Sequence, residues 1–400
     1  MKLAALSSHP IQYFAPLFRR LAAQPGVDLT VFYCSRQSAV PRGDPGFGTV
    51  VQWDIGLLEG YKYHFLPNWR RADEVRGFFS LINPGIILEL RQGRWDALWI
   101  HGYMHATNWL AIMAARSVEV PVMLRGESNL LDSRPYWRRA LKGVALRLLL
   151  RQVDGALYIG SHNREYYRYY GLPEDKLHFV PYCVDNDFFQ QEAARLRPQR
   201  PILRRRFGVA DDRPLILFCG KLIPTKQPVL LLQAFKEVRR KHPCALVYAG
   251  DGILRREIEE LAAREDLPDV HITGFLNQSA VSQAYAAADV LALPSWSDTW
   301  GLVINEGMNF GLPVVASDRV GGAVDLVREG ENGFVVPHHD TAALTSALAR
   351  MVEDPARRER FGRRSLEIIQ NWGLDRAVAG IVKACNGIKS DDLQFVRRHK

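Results

Sequence analysis

The chain has 400 residues, 47% of them hydrophobic and 24% charged, which excludes a mainly disordered or fibrous protein. This length is enough for two or three domains that each bury a core. The formal net charge is +9, and most of the excess lies in the first 200 residues, with 25 basic and 18 acidic side chains. Such a bias is typical of proteins that meet nucleic acid, an anionic membrane or a phosphorylated substrate, and charge alone does not choose among them.

The cysteine content and the hydropathy pattern favour a cytoplasmic protein. An odd, sparse set of cysteines without metal-ligand spacing indicates reduced thiols. No apolar run reaches the length of a transmembrane helix, and the first apolar residues are too few for a signal peptide. We therefore expect any membrane contact to be peripheral, on the cytoplasmic face of the inner membrane. The cysteines are Cys34, Cys183, Cys219, Cys244 and Cys385.

Short apolar runs alternate with amphipathic segments along the whole chain, which predicts two α/β domains built on parallel sheets. The predicted strands are Lys2–Ser7, Leu29–Ser35, Ala97–His101, Pro121–Arg125, Gly155–Gly160, Leu177–Pro181, Pro214–Gly220, Ala245–Gly250, Val270–Phe275, Val290–Pro294, Pro313–Ala316 and Gly333–Pro337. The predicted helices are Tyr13–Ala23, Asn108–Ala115, Val229–Lys241, Ile253–Ala263, Val281–Ala288 and Ala342–Val352.

The Pro- and Arg-rich stretch Gln191–Arg206 reads as an exposed linker between two doubly wound, Rossmann-like domains. We place these domains at residues 1–198 and 199–372, facing a central cleft. Ligands of open α/β sheets bind beyond the carboxyl ends of the strands, so two such edges at one cleft suit a two-substrate reaction.

The most informative motif follows the predicted strand that ends at Pro294. Asp298 lies in a loop, a helix begins near Gly301, and Glu306 lies one to two turns into it. The backbone N–H groups of Gly301, Leu302 and Val303 would then bind an anion such as a diphosphate, which the helix dipole also favours. Alternatively, Asp298 is an ordinary helix cap and Glu306 a solvated side chain, and the spacing alone leaves both interpretations open.

Two further motifs also lie where strands end. Gly220 ends a predicted strand, and Lys221 and Lys226 flank the loop that follows, where two ammonium groups suit a diphosphate. The alternative is a pair of surface lysines. In the first half, a hydrophobic strand places His101 at its carboxyl end, the functional edge of an α/β sheet. The alternative is a hydrogen-bonded structural histidine, which this residue without further context favours. His105 follows four residues later without acidic or cysteine ligands, so we reject a zinc site.

The second half resembles the retaining glycosyltransferases of family 4, which have the GT-B fold. The family's Glu, seven residues, Glu pattern reads Asp298 to Glu306 here, and its phosphate loop reads Gly220-Lys221-Leu…Lys226-Gln. The resemblance covers nearly all of residues 170–372 and is looser before them. Other similar pieces are Ala249-Gly-Asp-Gly252, Gly274-Phe275, Gly311-Leu-Pro-Val-Val, Val320-Gly-Gly322 and Asn332-Gly-Phe-Val-Val-Pro337.

The resemblance implies roles for the donor-side residues. Lys221 and Lys226 would hold the diphosphate of a nucleotide sugar, and Glu306 would bind the ribose. Asp298, one methylene shorter than the family's first Glu, would contact the donor sugar. His101 would lie near that sugar as an active-site histidine.

The resemblance also places Gly274 and Phe275 at the border of the base. It further implies that a last helix, within residues 373–400, crosses back to the first domain. Residues 1–198 would bind the acceptor.

The loop after the first strand departs from the family, because the usual Gly-Gly pair is absent. Ser8, His9 and Gln12 stand there as candidate acceptor contacts, with Ser8 as a simple helix cap being the alternative. The sequence has no pair of acidic residues at a strand end of the kind that would indicate a Mg²⁺ site. We therefore expect neither a metal nor a cofactor beyond the nucleotide-sugar co-substrate. The lysines and the helix terminus would supply the electrostatic stabilisation instead.

The sequence thus predicts a retaining, metal-independent hexosyltransferase that uses a UDP- or GDP-sugar and a glycan or lipid-linked acceptor, in polysaccharide or glycolipid synthesis. The basic stretch Arg134–Arg151 reads either as a membrane-surface helix or as a packed surface helix, and the tail Arg397–Lys400 adds positive charge. Two other functions stay open: a nucleotide-sugar epimerase on a similar scaffold, and a basic nucleic-acid-binding protein. No nucleic-acid-binding motif supports the second.

Overall fold

The computed structural model describes residues 1–44, 46, 49–70, 75–131, 136–209 and 212–398. The strands are β1 (Lys2–Ser7), β2 (Asp28–Tyr33), β3 (Arg42–Asp44), β4 (Thr49–Val51), β5 (Lys62–Phe65), β6 (Ala97–His101), β7 (Val122–Arg125), β8 (Gly155–Tyr158), β9 (Leu177–Phe179), β10 (Leu215–Cys219), β11 (Ala245–Ala249), β12 (Val270–Gly274), β13 (Val290–Leu293), β14 (Val314–Ser317) and β15 (Gly333–Val336). The helices are α1 (Phe14–Ala22), α2 (Gly85–Gln92), α3 (Ala106–Ser117), α4 (Tyr136–Leu150), α5 (Ser161–Tyr169), α6 (Asn186–Leu196), α7 (Arg200–Arg206), α8 (Pro228–Arg239), α9 (Arg255–Arg264), α10 (Gln278–Ala287), α11 (Leu302–Asn309), α12 (Ala323–Leu326), α13 (Thr341–Glu353), α14 (Pro355–Ile369) and α15 (Leu374–Arg398).

The chain divides into two compact units. The first comprises Met1–Arg42, Ile55–Tyr182 and Leu374–Lys400, and the second comprises Gly43–Asp54 and Cys183–Gly373. The polypeptide therefore contributes twelve residues of its first half to the second unit before it returns to the first.

The first unit is built on a parallel sheet with strand order β5-β2-β1-β6-β7-β8-β9. Its central strands are apolar runs, and Leu3–Leu6 of β1 is fully buried, as expected for strands covered on both faces. Helix α1 packs Phe14, Leu17 and Phe18 into the core, while Arg19 and Arg20 are only partly buried.

The second unit is built on a six-stranded parallel sheet with order β12-β11-β10-β13-β14-β15. Its core joins β10, β11 and β13 to α8 and α13 through fully buried residues such as Phe218, Phe235 and Leu348. The strand order turns back at β10, because β11 lies on one side of it and β13 on the other. That reversal is where open α/β sheets bind ligands, beyond the carboxyl ends of the strands.

The prediction of two parallel α/β domains is confirmed, and each predicted strand overlaps an observed one. The stretch expected to be an exposed linker, Gln191–Arg206, is helical instead. Its apolar residues Leu196 and Leu203 are buried, which a 3.6-residue period could have indicated. The boundary between units accordingly falls at Tyr182, so residues 183–198 belong to the second unit.

Two predicted surface features lie partly outside the described residues. Residues 134–135 of the basic stretch and 399–400 of the tail are outside them. In the described part of α4, Leu146 and Leu149 pack into the core of the first unit, while Val144 and Leu148 are exposed. Among the described helices, none combines the length and the hydropathy that crossing a membrane requires.

Candidate active site

The loop between β13 and α11 is held in place by the loop that follows β14. The amide of Asp298 donates to Arg319 O at 3.2 Å, and Gly321 N donates back to Asp298 O at 3.0 Å. The Asp298 carboxylate also accepts from Trp300 N at 3.3 Å. The indole of Trp300 is buried and donates to Asn305 Oδ1 of α11 at 2.9 Å. Asp298 therefore stands in a rigid turn that is anchored to the helix it precedes.

Helix α11 begins directly after Gly301, which adopts a φ of +87°. A Cβ at this position would meet Val320 Cγ1 at 2.6 Å and Leu293 Cδ2 at 3.0 Å, so only glycine fits. The first-turn N–H groups, those of Leu302 and Val303 among them, have no acceptor within the helix. They present the positive end of the helix dipole at the edge of the sheet where Asp298 also lies.

The loop after β10 reaches the same place. Lys226 ends a short 3₁₀ turn, Pro224–Lys226, and its ammonium group forms an ion pair with the Asp298 carboxylate. A backbone hydrogen bond from Trp296 N to Thr225 O, 3.0 Å long, joins the two loops a second time. The structure thus brings two separately predicted motifs into one cluster.

Gly220 and Lys221 lie at the start of this loop, against the loop that follows β11. A Cβ on Gly250 would stand 1.8 Å from Gly220 O, so the close approach of the two loops requires glycine there. Gly220 has a φ of +142°, and the space where a side chain would project is open. Lys221 is half-buried beside it.

Glu306 is buried, which contradicts the alternative of a solvated glutamate. Its Oε2 accepts from the hydroxyl of Tyr285 on α10 at 2.6 Å. Burial, together with the nearby Cys219 thiol and the Glu306 carboxylate, raises the pKa of Tyr285 well above its usual value. Burial and the Glu306 charge likewise raise the pKa of Cys219, at the end of β10, to about 12. The Glu306 carboxylate is therefore buried next to Cys219, at the end of β10, and Tyr285, near the end of α10.

Gly274 ends β12, the edge strand of the sheet, and Phe275 follows it. The Phe275 ring contacts Trp53, with ring centroids 6.2 Å apart and planes at 74°. Trp53 comes from residues 43–54, the first-half segment that belongs to this unit.

In the first unit, His101 ends β6, the neighbour of β1. Its ring stacks between Phe14 and Trp99, with centroid distances of 4.3 and 4.4 Å. Among the described residues, Nε2 of His101 is buried without a hydrogen-bond partner. Burial and the nearby Arg125 guanidinium hold the pKa of His101 well below its ordinary value, so the imidazole is neutral at pH 7.

Ser8, His9 and Gln12 lie in the loop that leaves β1, at the same sheet edge as His101. The Ser8 hydroxyl contacts His9 Nδ1 at 2.9 Å. Burial and the nearby His105 lower the pKa of His9 to about 4. Ser8 is not a helix cap, because α1 begins only at Phe14 and its capping position is Tyr13, which makes no side-chain cap.

Three residues near these sites were not predicted from the sequence: Arg125, Tyr285 and Trp300. Arg125 ends β7 in register with His101 and is almost fully buried, with its guanidinium over the rings of Phe14 and Tyr182. His101 was singled out as a polar, titratable side chain at the carboxyl end of an apolar run, and the same signal applies to Arg125. Trp300 and Tyr285 carried no such signal, because their partners are distant or are fixed only by the folded loop.

No group of three or more His, Cys, Asp or Glu side chains that could hold a metal occurs in the part of the chain that the structure describes. Two cavities of the second unit, of about 750 and 780 Å³, lie along β12 and at the amino ends of β13 and β14. Neither is lined by Lys226, Asp298 or Glu306. The cluster at the carboxyl edge is therefore distinct from both cavities, and its side chains are largely buried.

Comparison with known proteins yields two family matches that together cover most of the chain. A family described as glycosyl transferases group 1 matches residues 199–367, and one described as glycosyl transferase 4-like domain matches residues 10–183. The alpha-D-kanosaminyltransferase of Streptomyces kanamyceticus is 33% identical over 333 residues, which are 78% of this chain and 85% of that protein. The D-inositol 3-phosphate glycosyltransferase of Xylanimonas cellulosilytica is 33% identical over 394 residues, 92% of this chain and 89% of that protein.

Solved structures show the same fold at lower identity. A crystal structure of Anabaena HepE in complex with UDP covers 97% of this chain and all of its own, with a TM-score of 0.74 and 18% identity. The sucrose-phosphate synthase of Thermosynechococcus elongatus covers 98% of this chain and all of its own, with a TM-score of 0.68 and 19% identity.

Proposed function

The chain belongs to the group 1 glycosyl transferases and has the GT-B fold, and we propose that it moves a sugar from a UDP- or GDP-sugar to a hydroxyl of a glycan or lipid-linked acceptor. One observation carries the donor assignment: Lys226 pairs with Asp298 in the loop that leads into α11, and the first-turn N–H groups of this helix have no acceptor within it. The Lys226 ammonium and the helix N-terminus can bind a diphosphate, and the Asp298 carboxylate can accept a hydrogen bond from a sugar hydroxyl.

In this proposal, Lys226 and Lys221 stabilise the charge that develops on the departing diphosphate, as the N-terminus of α11 also does. The Lys226 ammonium is held in place by Asp298, so little reorganisation is needed when the phosphate arrives. Buried Glu306 binds the ribose hydroxyls, which donate to its carboxylate as Tyr285 does.

Neutral His101 is proposed to touch the donor sugar. Its buried Nε2 needs a partner, and a sugar hydroxyl can serve as donor or acceptor. Ser8, His9 and Gln12, at the same edge of the first unit, are proposed to bind the acceptor. The proposal includes retention of the anomeric configuration, which the family resemblance implies. It also includes independence of metal ions, because the lysines and the N-terminus of α11 can supply the electrostatic stabilisation.

We further propose a cytoplasmic site of action with peripheral membrane contact. The exposed pair Val144 and Leu148, one helical turn apart on basic helix α4, supports it. Flotation with anionic vesicles tests this part. Failure to float, together with full activity on soluble sugars, would contradict it.

Thermal-shift screening against UDP-, GDP-, ADP- and dTDP-sugars, followed by transfer assays, tests the function. The acceptor panel includes glycan and lipid-linked sugars and D-inositol 3-phosphate, the substrate named for one relative. We expect stabilisation by UDP- or GDP-sugars, and transfer that persists in EDTA with the anomeric configuration retained. No stabilisation by any of these sugars would refute the donor assignment, and product formation from the donor alone would favour an epimerase.

A further inference from the structure

Residues 52–54 form hydrogen bonds with the start of α10. They end the first-half segment, residues 43–54, that belongs to the second unit. Asn277 Nδ2 donates to Gln52 O at 2.5 Å. Ser279 N donates to Asp54 Oδ2 at 3.1 Å, and its hydroxyl donates to the same oxygen. Asp54 therefore caps an α-helix that lies 225 residues away in the sequence. Trp53 stands between these two anchors.

The anchors fix Trp53 against Phe275. Their rings stand at 74° with centroids 6.2 Å apart, and both side chains are only partly buried. Two rings at this angle form a corner, in which a planar group lying on one ring face meets the edge of the other ring. An aromatic corner that stays partly exposed is a candidate site for another flat, π-bearing ligand.

In the strand order, the corner lies two strands from the loop that carries Lys226. Phe275 follows β12, which is two strands from β10 and its phosphate loop. Two strand spacings are about 10 Å, the separation that a ribose spans between a phosphate and a base. Glu306, the proposed ribose ligand, bonds to Tyr285 of α10, and this helix begins shortly after Phe275.

The other side of the cluster is filled by protein. The loop after β14 bonds to the loop of Asp298 on both sides, through Arg319 O and Gly321 N. A nucleotide whose phosphates lie at Lys226 therefore extends toward β12 rather than β14.

We propose that Trp53 forms, with Phe275, the binding corner for the nucleobase of the donor. This inference rests on the proposed function and adds to it a residue from the first half of the chain, outside the motifs that carry the family resemblance. Because base–aromatic stacking is substantial, loss of the Trp53 ring should weaken nucleotide binding about tenfold. The diphosphate cluster does not contain Trp53, so binding of the phosphates themselves should not change.

Titrations of the full-length protein with UDP, and displacement of UDP by inorganic pyrophosphate, test this proposal. The variants are Trp53→Ala, Trp53→Phe and, as a control, Trp69→Ala, which removes an exposed tryptophan of the first unit. We expect Trp53→Ala to weaken UDP about tenfold with pyrophosphate displacement constants unchanged, Trp53→Phe to retain most of the affinity, and Trp69→Ala to bind as the wild type does.

Two results would overturn the proposal: wild-type UDP affinity in Trp53→Ala, or an equal loss for UDP and pyrophosphate. Lys226→Ala separates this failure from that of the proposed function. If Lys226→Ala loses UDP while Trp53→Ala does not, the donor site stands and the base corner is refuted. If the wild-type protein binds neither UDP nor GDP, the proposed function itself fails.

Discussion

Acidification should destabilise the first unit through His9, in the candidate acceptor loop. Burial and His105 lower the pKa of the folded His9 from 6.5 to about 4. Because the folded-state pKa is depressed, the neutral imidazole contributes its full stability above pH 6.5. That contribution is lost as the pH falls through 4.

The size of the effect follows from the two pKa values. Between pH 7 and pH 5 the unfolded His9 takes up a proton while the folded His9 does not. Proton linkage then lowers the free energy of unfolding by about 2 kcal/mol, and by about 3 kcal/mol when titration is complete. Other buried histidines, His101 among them, add to the total, so only a difference between variants isolates His9.

Urea unfolding of the wild type and of His9→Gln, measured at pH 7 and pH 5, tests this reasoning. Glutamine does not titrate, so the variant should lose about 2 kcal/mol less than the wild type on acidification. The control His64→Gln replaces an exposed histidine of the same unit and should follow the wild type within about 0.5 kcal/mol. Equal acid sensitivity in the wild type and His9→Gln would refute the buried, neutral state of His9.

Two further predictions concern the second unit. Gly301→Ala should lower the free energy of unfolding of this unit by about 3 kcal/mol, because the new Cβ clashes with Val320 and alanine disfavours the left-handed backbone. The control Gly330→Ala, at a φ of +73° with open space around it, should cost about 1 kcal/mol. Equal losses of stability in urea unfolding would contradict the packing argument. Glu306→Gln keeps the side-chain shape and the Tyr285 contact but loses the charge. The KM for the donor should therefore rise roughly tenfold, while the free energy of unfolding changes by less than about 1 kcal/mol. An unchanged KM would show that Glu306 is not part of the donor site.

Most strands of the two large sheets could be predicted because they are short apolar runs, many of which end at Gly, Ser or Pro. Edge strand β5 was not predicted, because Lys62–Phe65 is mostly exposed and lacks the apolar run of a central strand. Helices α6 and α7 were missed because the prolines Pro198 and Pro201 and the surrounding arginines suggested an exposed linker. The placement of α7 depends on the pairing of Arg200 and Arg204 with Asp289, which no local pattern shows.

The candidate site could be predicted as motifs but not as an arrangement. Gly220, Lys226, Asp298 and Glu306 are recognisable by spacing, yet the ion pair of Lys226 with Asp298 joins positions 72 residues apart. The burial of Glu306 likewise depends on Tyr285, 21 residues earlier on another helix. Most distant of all is Trp53, whose contact with Phe275 depends on a segment crossing from one unit to the other.

Lys226 and the N-terminus of α11 are proposed to bind the diphosphate of a nucleotide donor. Calorimetric titration of UDP into the wild type, Lys226→Ala and the control Lys236→Ala, which removes a lysine of α8 paired with Glu265, tests it most directly. Loss of a charge-assisted phosphate contact should weaken UDP binding about 30-fold in Lys226→Ala, with Lys236→Ala unchanged. UDP binding of wild-type strength in Lys226→Ala would contradict the account.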